Sequence, residues 1–229
     1  MNKTEYVKEC LLKHPCLISK LLKDPTYNPA ITKGILYKMI PFRSSIEIEC
    51  KKSLSRNLNK ENRDLIRRYD IYNYSDDKNS NQSNYYSEHR ISIINYSQAS
   101  GLYKVLFDMK KYCELNPGSG IHIHIDANKI ANHHFLDANS KNFVKVKEFL
   151  ESKLDSLEEI FGKYEGEYNR KEVEFESKGS WINVRYSRLH SIEFRIAPMT
   201  FEYETIIKWI VECNKIVKDL HNVLKVSYK

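Results

Sequence analysis

Two histidines and an aspartate alternate with three isoleucines in the segment GIHIHID, which spans residues 120–126. Successive side chains of a β-strand point to opposite faces, so His122, His124 and Asp126 share one face and the isoleucines share the other. Imidazole and carboxylate groups can bind metals or transfer protons, whereas isoleucine packs in a core. For this strand alone a solvated sheet face is the more common explanation, because antiparallel sheets often have one wet side.

The same alternation recurs in three further segments, IEIE (46–49), EHRIS (88–92) and IEFR (192–195). If their apolar residues line one core, the opposite face collects Glu47, Glu49, Glu88, His122, His124, Glu193 and Arg195. A solvated face usually mixes Lys, Thr, Ser and Gln, and this set contains none of them. Asn183 and Arg185, on a strand just before IEFR, are candidates for the same face.

The carboxylates of this set predict a divalent-cation site for a nucleotide phosphate. Uncompensated glutamates would repel one another and raise their own pKa values, and a divalent cation removes that penalty. Mg²⁺ and Mn²⁺ prefer oxygen ligands and often complete their shells with substrate phosphates. Arg195 supplies a planar fork for a phosphoryl oxygen. Because clusters of like charge store strain, we expect neutralising Glu193 to leave stability unchanged or slightly higher.

The segment GSGIHIH (118–124) resembles the GSGxHxH signature of glutamine synthetases. IEIE, the histidine strand and IEFR also follow one another in the order used by the glutamine synthetase and glutamate–cysteine ligase superfamily. Over about residues 42–212 the chain is most similar to the compact amidoligases of that superfamily, which occur in bacteria and phages. The resemblance implies a glutamine-synthetase-like catalytic fold in the cytoplasm of a bacterium or a phage-infected host.

The resemblance also implies an activity and a set of site residues. The activity is ATP- and Mg²⁺- (or Mn²⁺-) dependent joining of a carboxylate to an amine through an acyl phosphate, on a peptide, cell-wall fragment or protein. The implied metal ligands are Glu47, Glu49, Glu88, His122 and Glu193. His124 matches the histidine nearer the substrate, and Arg195 matches the arginine that stabilises the transferring phosphoryl group. Arg195 therefore joins Arg185 and Asn183 as a candidate ATP-binding residue.

Two other functions fit the same residues. A metal-dependent hydrolase would use these ligands to activate water, without ATP. A structural or interaction module would keep the fold without catalysis, because fold does not fix function. The chain has no Walker motif and no GxGxxG motif, so any nucleotide would bind without a P-loop.

The composition indicates which cellular compartment and which classes of partner to expect for the protein. The five cysteines are odd in number and form no CxxC pair, which indicates a reducing compartment. The net charge of +7 comes from lysines interspersed with glutamates on helices, so nucleic acid is not an expected partner. No apolar run reaches the ~18 residues of a membrane span, so a soluble protein without a membrane partner is expected. Assembly as a homo-oligomer is left open.

Helical spacing of apolar residues predicts helices, and alternation predicts strands. The predicted helices cover residues 4–23, 99–115, 140–162 and 202–224. The predicted strands cover residues 44–50, 65–74, 88–94, 122–126, 181–186 and 190–197, with a polar flexible loop at about 73–87. Since the strands alternate in polarity, we expect an α+β fold in one domain, 1–229, in which helices pack on the apolar face of a single, mostly antiparallel, curved β-sheet.

Overall fold

A computed structural model describes most of the chain. The described residues are 1–52, 72–76, 86–93, 96–111, 113–114, 120–132, 135–136, 141–162, 170–176, 179–187 and 189–227. For residues 49–52, 72–76, 86–89, 97 and 114 the description is confined to the backbone.

Among the described residues, the fold is built on one open, mixed β-sheet of eight strands. The strands are β1 (Ser44–Lys52), β2 (Tyr72–Asp76), β3 (Tyr86–Ile93), β4 (Cys113–Glu114), β5 (Gly120–Asp126), β6 (Arg170–Phe175), β7 (Ser180–Arg185) and β8 (Ser191–Pro198). Their spatial order is β2-β3-β1-β5-β8-β7-β6, and β4 pairs with β1. Every pairing is antiparallel except that of β6 with β7. The prediction of an α+β fold with a mostly antiparallel sheet is confirmed.

Helices cover the apolar side of the sheet. They are α1 (Lys3–Lys13), α2 (Ile18–Leu21), α3 (Pro29–Met39), α4 (Ala99–Met109), α5 (Lys141–Glu151), α6 (Leu154–Phe161) and α7 (Tyr203–Val223). The long helix α7 contacts β5 and β8, and α6 contacts β8. The three isoleucines of β5 are fully buried in this core. Across the described residues, no helix has the length and apolar character needed to cross a bilayer.

Several predicted boundaries differ from the structure. The single helix expected over 4–23 was wrong, because α1 ends at Lys13 and Pro15 begins a 3-10 turn. Proline has no N–H to donate and its ring clashes with the preceding turn, so the helix cannot continue. The helix expected over 140–162 is two helices, α5 and α6. At the break, the Ser152 hydroxyl donates to the carbonyl of Phe149, and such local bonds compete with helical ones.

Other segments were predicted only in part. Residues 73–76 and 86–87 of the polar loop expected at 73–87 belong to β2 and β3, and the rest lies outside the described residues. Of the strand expected over 65–74, residues 72–74 lie in β2. Helix α3 and strand β6 were not predicted at all, although Asn28 caps α3 by accepting from two backbone amides and Pro29 occupies its first turn.

A buried asparagine joins the last helix to the first strand. Asn214 of α7 is fully buried, and its Oδ1 accepts a hydrogen bond of 3.0 Å from the Phe42 amide. Its Nδ2 donates to Ser44 Oγ at 3.0 Å and to the Ile210 carbonyl at 2.9 Å. Because a buried amide must be satisfied, these bonds specify where β1 begins relative to α7.

A second buried bond joins the first helix to the last. The hydroxyl of Tyr203, at the start of α7, donates to the carbonyl of Leu11 in α1 at 2.6 Å. Tyr203 is buried, and burial raises the pKa of its phenol well above the ordinary value. The folded state therefore keeps this phenol neutral at alkaline pH.

Replacing Tyr203 with Phe should lower the free energy of unfolding by about 1 to 2 kcal/mol below pH 10, because the Leu11 carbonyl loses its donor. Above the unfolded pKa of about 10, ionisation of Tyr203 favours the unfolded wild-type chain, so part of this difference should disappear. Urea unfolding of both proteins between about pH 8 and about pH 11 measures this difference. A difference that stays constant over the whole interval would contradict the expectation.

Candidate metal centre

Strand pairing brings the polar residues of neighbouring strands side by side. Glu47 of β1 lies opposite His122 of β5, and His124 of β5 lies opposite Glu193 of β8. The isoleucines between them are fully buried on the other side of the sheet. Because side chains alternate along a strand, these pairings fix both the core and this polar face, although the register of β5 with β8 shifts between Ile121 and Ile123.

Three of the predicted ligands form a compact cluster. One ligand atom from each of Glu47, His122 and Glu193 lies within 4.8 Å of the other two. His122 Nδ1 is 3.6 Å from Glu47 Oε2 and 3.6 Å from Glu193 Oε1. Ligands bound at about 2.0 to 2.3 Å from one ion are themselves separated by about 3 to 4.5 Å, so these residues could hold a divalent cation. We call Glu47, His122 and Glu193 the triad.

His124 lies beside the triad. Its Nε2 is 3.4 Å from Glu47 Oε1 and 3.8 Å from Glu193 Oε1. His124 is 6% exposed, and neither ring nitrogen makes a hydrogen bond. A buried polar group without a hydrogen bond is costly, so this imidazole is available to bond a ligand or ion.

Two arginines and an amide hold the Glu193 carboxylate. Arg195 Nη1 donates to Glu193 Oε1 at 2.9 Å, and Arg185 Nη1 donates to Oε2 at 3.1 Å. Asn183 Nδ2 also donates to Oε2, at 3.1 Å. Because Glu193 is only 1% exposed, these donors replace the water that the charge has lost. Asn183 and Arg185, expected at a nucleotide, thus contact a predicted metal ligand.

An arginine outside the predicted site set contacts Glu47. Arg90 of β3 lies opposite Glu47 in the strand register, and its Nε is 3.1 Å from Glu47 Oε1. Arg90 is the third residue of the alternating segment EHRIS, so its place on the polar face was visible in the sequence. The contact of Arg90 with Glu47 could not be seen in the sequence, because it depends on which strands are neighbours in the sheet.

The charges around the triad lower the pKa values of its two carboxyls. Burial alone would raise the pKa of Glu47, but the adjacent imidazoles of His122 and His124 and the nearby Arg90 outweigh burial and lower it. Burial would likewise raise the pKa of Glu193, but both imidazoles, Arg195 and Arg185 lower it. Much of the compensation that we assigned to divalent cations therefore comes from the protein itself. This contradicts the expectation of a strained cluster of like charge at Glu193.

Two predicted ligands are placed only through their backbone. Glu49 of β1 lies opposite Glu88 of β3 in the strand register. Their side chains fall outside the described residues, as do residues 118 and 119 of the glycine motif. The roles of Glu49 and Glu88 as ligands stay predictions.

A cavity of about 390 Å³ adjoins the triad at the edge where β1 begins. It is lined by Arg43, Ser44, Ser45, Glu47, Arg90, Ser92, His124, Asp126, Asn128, Leu189 and Ser191. Ser191 Oγ, like the His124 ring, is buried without a hydrogen-bond partner. The lining comes from several strand ends and loops, so no single sequence motif indicated this cavity.

No known family model matches this chain, and the curated proteins contain no match to it. The chemistry of the site is therefore argued from its geometry and charge. Arg90, Arg185 and Arg195 face the carboxylates of Glu47, Glu193 and Glu176, so these charges balance when both imidazoles are neutral. A cation bound at the triad would be accompanied most favourably by an anionic ligand.

Replacing Glu193 with Gln should lower the free energy of unfolding at neutral pH by roughly 2 to 3 kcal/mol, because two partly buried arginines lose their counter-charge. The folded-state pKa of Glu193 lies below the unfolded value of about 4.3, so the carboxylate stabilises the fold above that pH. This stabilisation is lost as the pH falls through the folded-state pKa, and the two proteins should converge. Urea unfolding at neutral pH and at about pH 3 tests the convergence. A difference that grows on acidification would contradict it.

Mn²⁺ should raise the melting temperature of the wild-type protein, because a ligand that binds only the folded state adds about 2.7 kcal/mol at a hundred times its Kd. Glu47→Gln should lose most of this rise, since the triad loses a charged ligand. Glu9→Gln is the control, because Glu9 pairs with Lys13 on α1 and takes no part in the triad. Differential scanning fluorimetry with and without chelator measures the shifts. Equal shifts in Glu47→Gln and wild type would rule out the triad as the binding site.

Proposed function

We propose that this chain is an ATP- and Mg²⁺-dependent carboxylate–amine ligase with a glutamine-synthetase-like fold. The observation that carries the proposal is the triad, in which each of three separate sequence motifs supplies one ligand atom within 4.8 Å of the others. These are the motifs by which the chain resembles the glutamine synthetase superfamily. The mostly antiparallel sheet that positions them supports the same proposal.

The residues of the site suit a phosphate-bearing substrate. Bound ATP would supply the phosphoryl group that activates a carboxylate as an acyl phosphate, with ADP as the leaving group, and Mg²⁺ would neutralise charge on the phosphate oxygens. The triad binds the cation, and the charge of that cation together with the neighbouring guanidinium groups favours the phosphate oxygens that come with it. Arg195 contacts a triad carboxylate at 2.9 Å, which supports a role for its guanidinium at a phosphate that shares the cation.

The adjoining cavity supports a nucleotide as that substrate. Its volume of about 390 Å³ falls within the range typical of small-molecule sites. Arg43 and Arg90 offer guanidinium groups to phosphates, while Asp126, Asn128 and Ser191 offer groups that can bond a ribose or a base. Because Asn183 and Arg185 bond Glu193 instead, we assign them to holding that carboxylate.

ADP release tests the proposal. With ATP and Mg²⁺, a panel of amino acids, short peptides and cell-wall peptide fragments should contain an acid and an amine that together stimulate ADP release. Arg195→Lys keeps the charge but loses the planar fork, and should lower that turnover by ~100-fold or more. Ile123→Ala, on the core face of β5, should cost about 2 to 5 kcal/mol of stability yet keep near-normal turnover per folded molecule.

The outcomes separate the three candidate functions. Metal-dependent hydrolysis of the same peptides without ATP would favour the hydrolase and contradict the ligase. Metal binding with neither ADP release nor hydrolysis would favour a non-catalytic module. Unfolding of Arg195→Lys with unchanged specific activity would make Arg195 a structural residue, contrary to the proposal.

A further inference from the structure

Glu176, directly after β6, has an unusual backbone and two specific contacts. Its φ of 56° lies in the left-handed region, which is unfavourable for a residue with a Cβ atom. Such conformations persist where the surroundings enforce them, and they cluster at functional sites. Its Oε1 accepts a hydrogen bond of 2.6 Å from the Ser187 amide, and its Oε2 lies 3.8 Å from Arg185 Nε.

Arg185 connects Glu176 to the triad. The Nε edge of its guanidinium faces Glu176, while Nη1 donates to Glu193 Oε2 at 3.1 Å. The Ser187 bond fixes the turn that follows Arg185 at the end of β7. Arg185 is therefore held between two carboxylates, one partly exposed and one buried in the site.

We propose that Glu176 is a positioning residue for the triad, acting through Arg185 on the Glu193 carboxylate. Without Glu176, the full charge of Arg185 would fall on Glu193 and compete with a cation for its oxygens. With Glu176 present, the charge is shared, and Glu193 keeps the geometry and the basicity that a metal ligand needs. This inference rests on the proposed metal site and is independent of the ligase reaction.

The affinity for Mn²⁺ tests the proposal, measured by titration with electron paramagnetic resonance of free Mn²⁺. Glu176→Gln should weaken binding by ~10-fold or more, the usual effect of removing an outer carboxylate from a metal site. Glu176→Gly should weaken binding equally, while its melting temperature stays at or above that of Glu176→Gln, because glycine adopts a positive φ without strain. A merely structural role would instead make affinity follow stability.

Two controls sharpen the result. Glu172→Gln removes a charge from β6, the strand just before Glu176, but Glu172 pairs with Arg170 rather than with Arg185, so Mn²⁺ affinity should not change. In an Arg185→Lys background, Glu176→Gln should cause little further loss, because the route to Glu193 is already altered.

The outcomes separate failure of the positioning role of Glu176 from failure of the metal site itself. If the wild-type protein does not bind Mn²⁺, both proposals are wrong. If it binds Mn²⁺ and both Glu176 variants bind as tightly, only the positioning role is wrong. An equal loss of Mn²⁺ affinity in Glu172→Gln would also overturn the positioning role of Glu176, because removing any nearby negative charge would then have the same effect.

Discussion

The buried carboxylate of Glu193 is the constraint on which the rest of the structure depends. A charge that is 1% exposed is tolerated only when donors surround it, and here Arg185, Arg195 and Asn183 do so. Those donors come from two adjacent antiparallel strands, β7 and β8, so the strands must pair in one register for the charge to be satisfied. In a shifted register Asn183 and Arg185 of β7 would no longer lie beside Glu193, and its carboxylate would lose two of its three donors.

The same register builds the core. On β5 each histidine of the polar face is flanked by isoleucines that are fully buried against the helices. A slip of one residue would place His122 and His124 in the core and expose the isoleucines, so the cost of any slip is shared by packing and electrostatics. The bonds of Asn214 to Phe42 and Ser44 impose the equivalent condition on β1, which carries Glu47. The positions of the site residues are well defined because packing on one face of the sheet and polar contacts on the other both fix the strand register.

Much of this could be predicted from the sequence, because alternation is a local signal. The strands that carry Glu47, His122 and Glu193 were recognisable one by one, and their shared polarity predicted a shared face. Contacts between strands were not recognisable, and so Arg90 was left out of the predicted site. Glu176 had no signal at all, since its role depends on a left-handed backbone and on a turn formed eleven residues later. Pro15 was a local sign of a helix end, but the helical spacing of the apolar residues around it was given more weight, and one long helix was predicted.

The hydrogen bonds of Asn214 have a consequence for how the protein comes to be folded. The bonds to Phe42 and Ser44 connect residues 172 and 170 positions apart, and the ligands of the triad themselves extend from the first strand to the last. During synthesis one apolar face of the early strands therefore stays uncovered until the final helix has left the ribosome. Through that interval the chain is exposed to aggregation, and it is the stage at which a chaperone would bind. Nascent chains released before Asn214 should lack the assembled site even though they contain every one of its ligands.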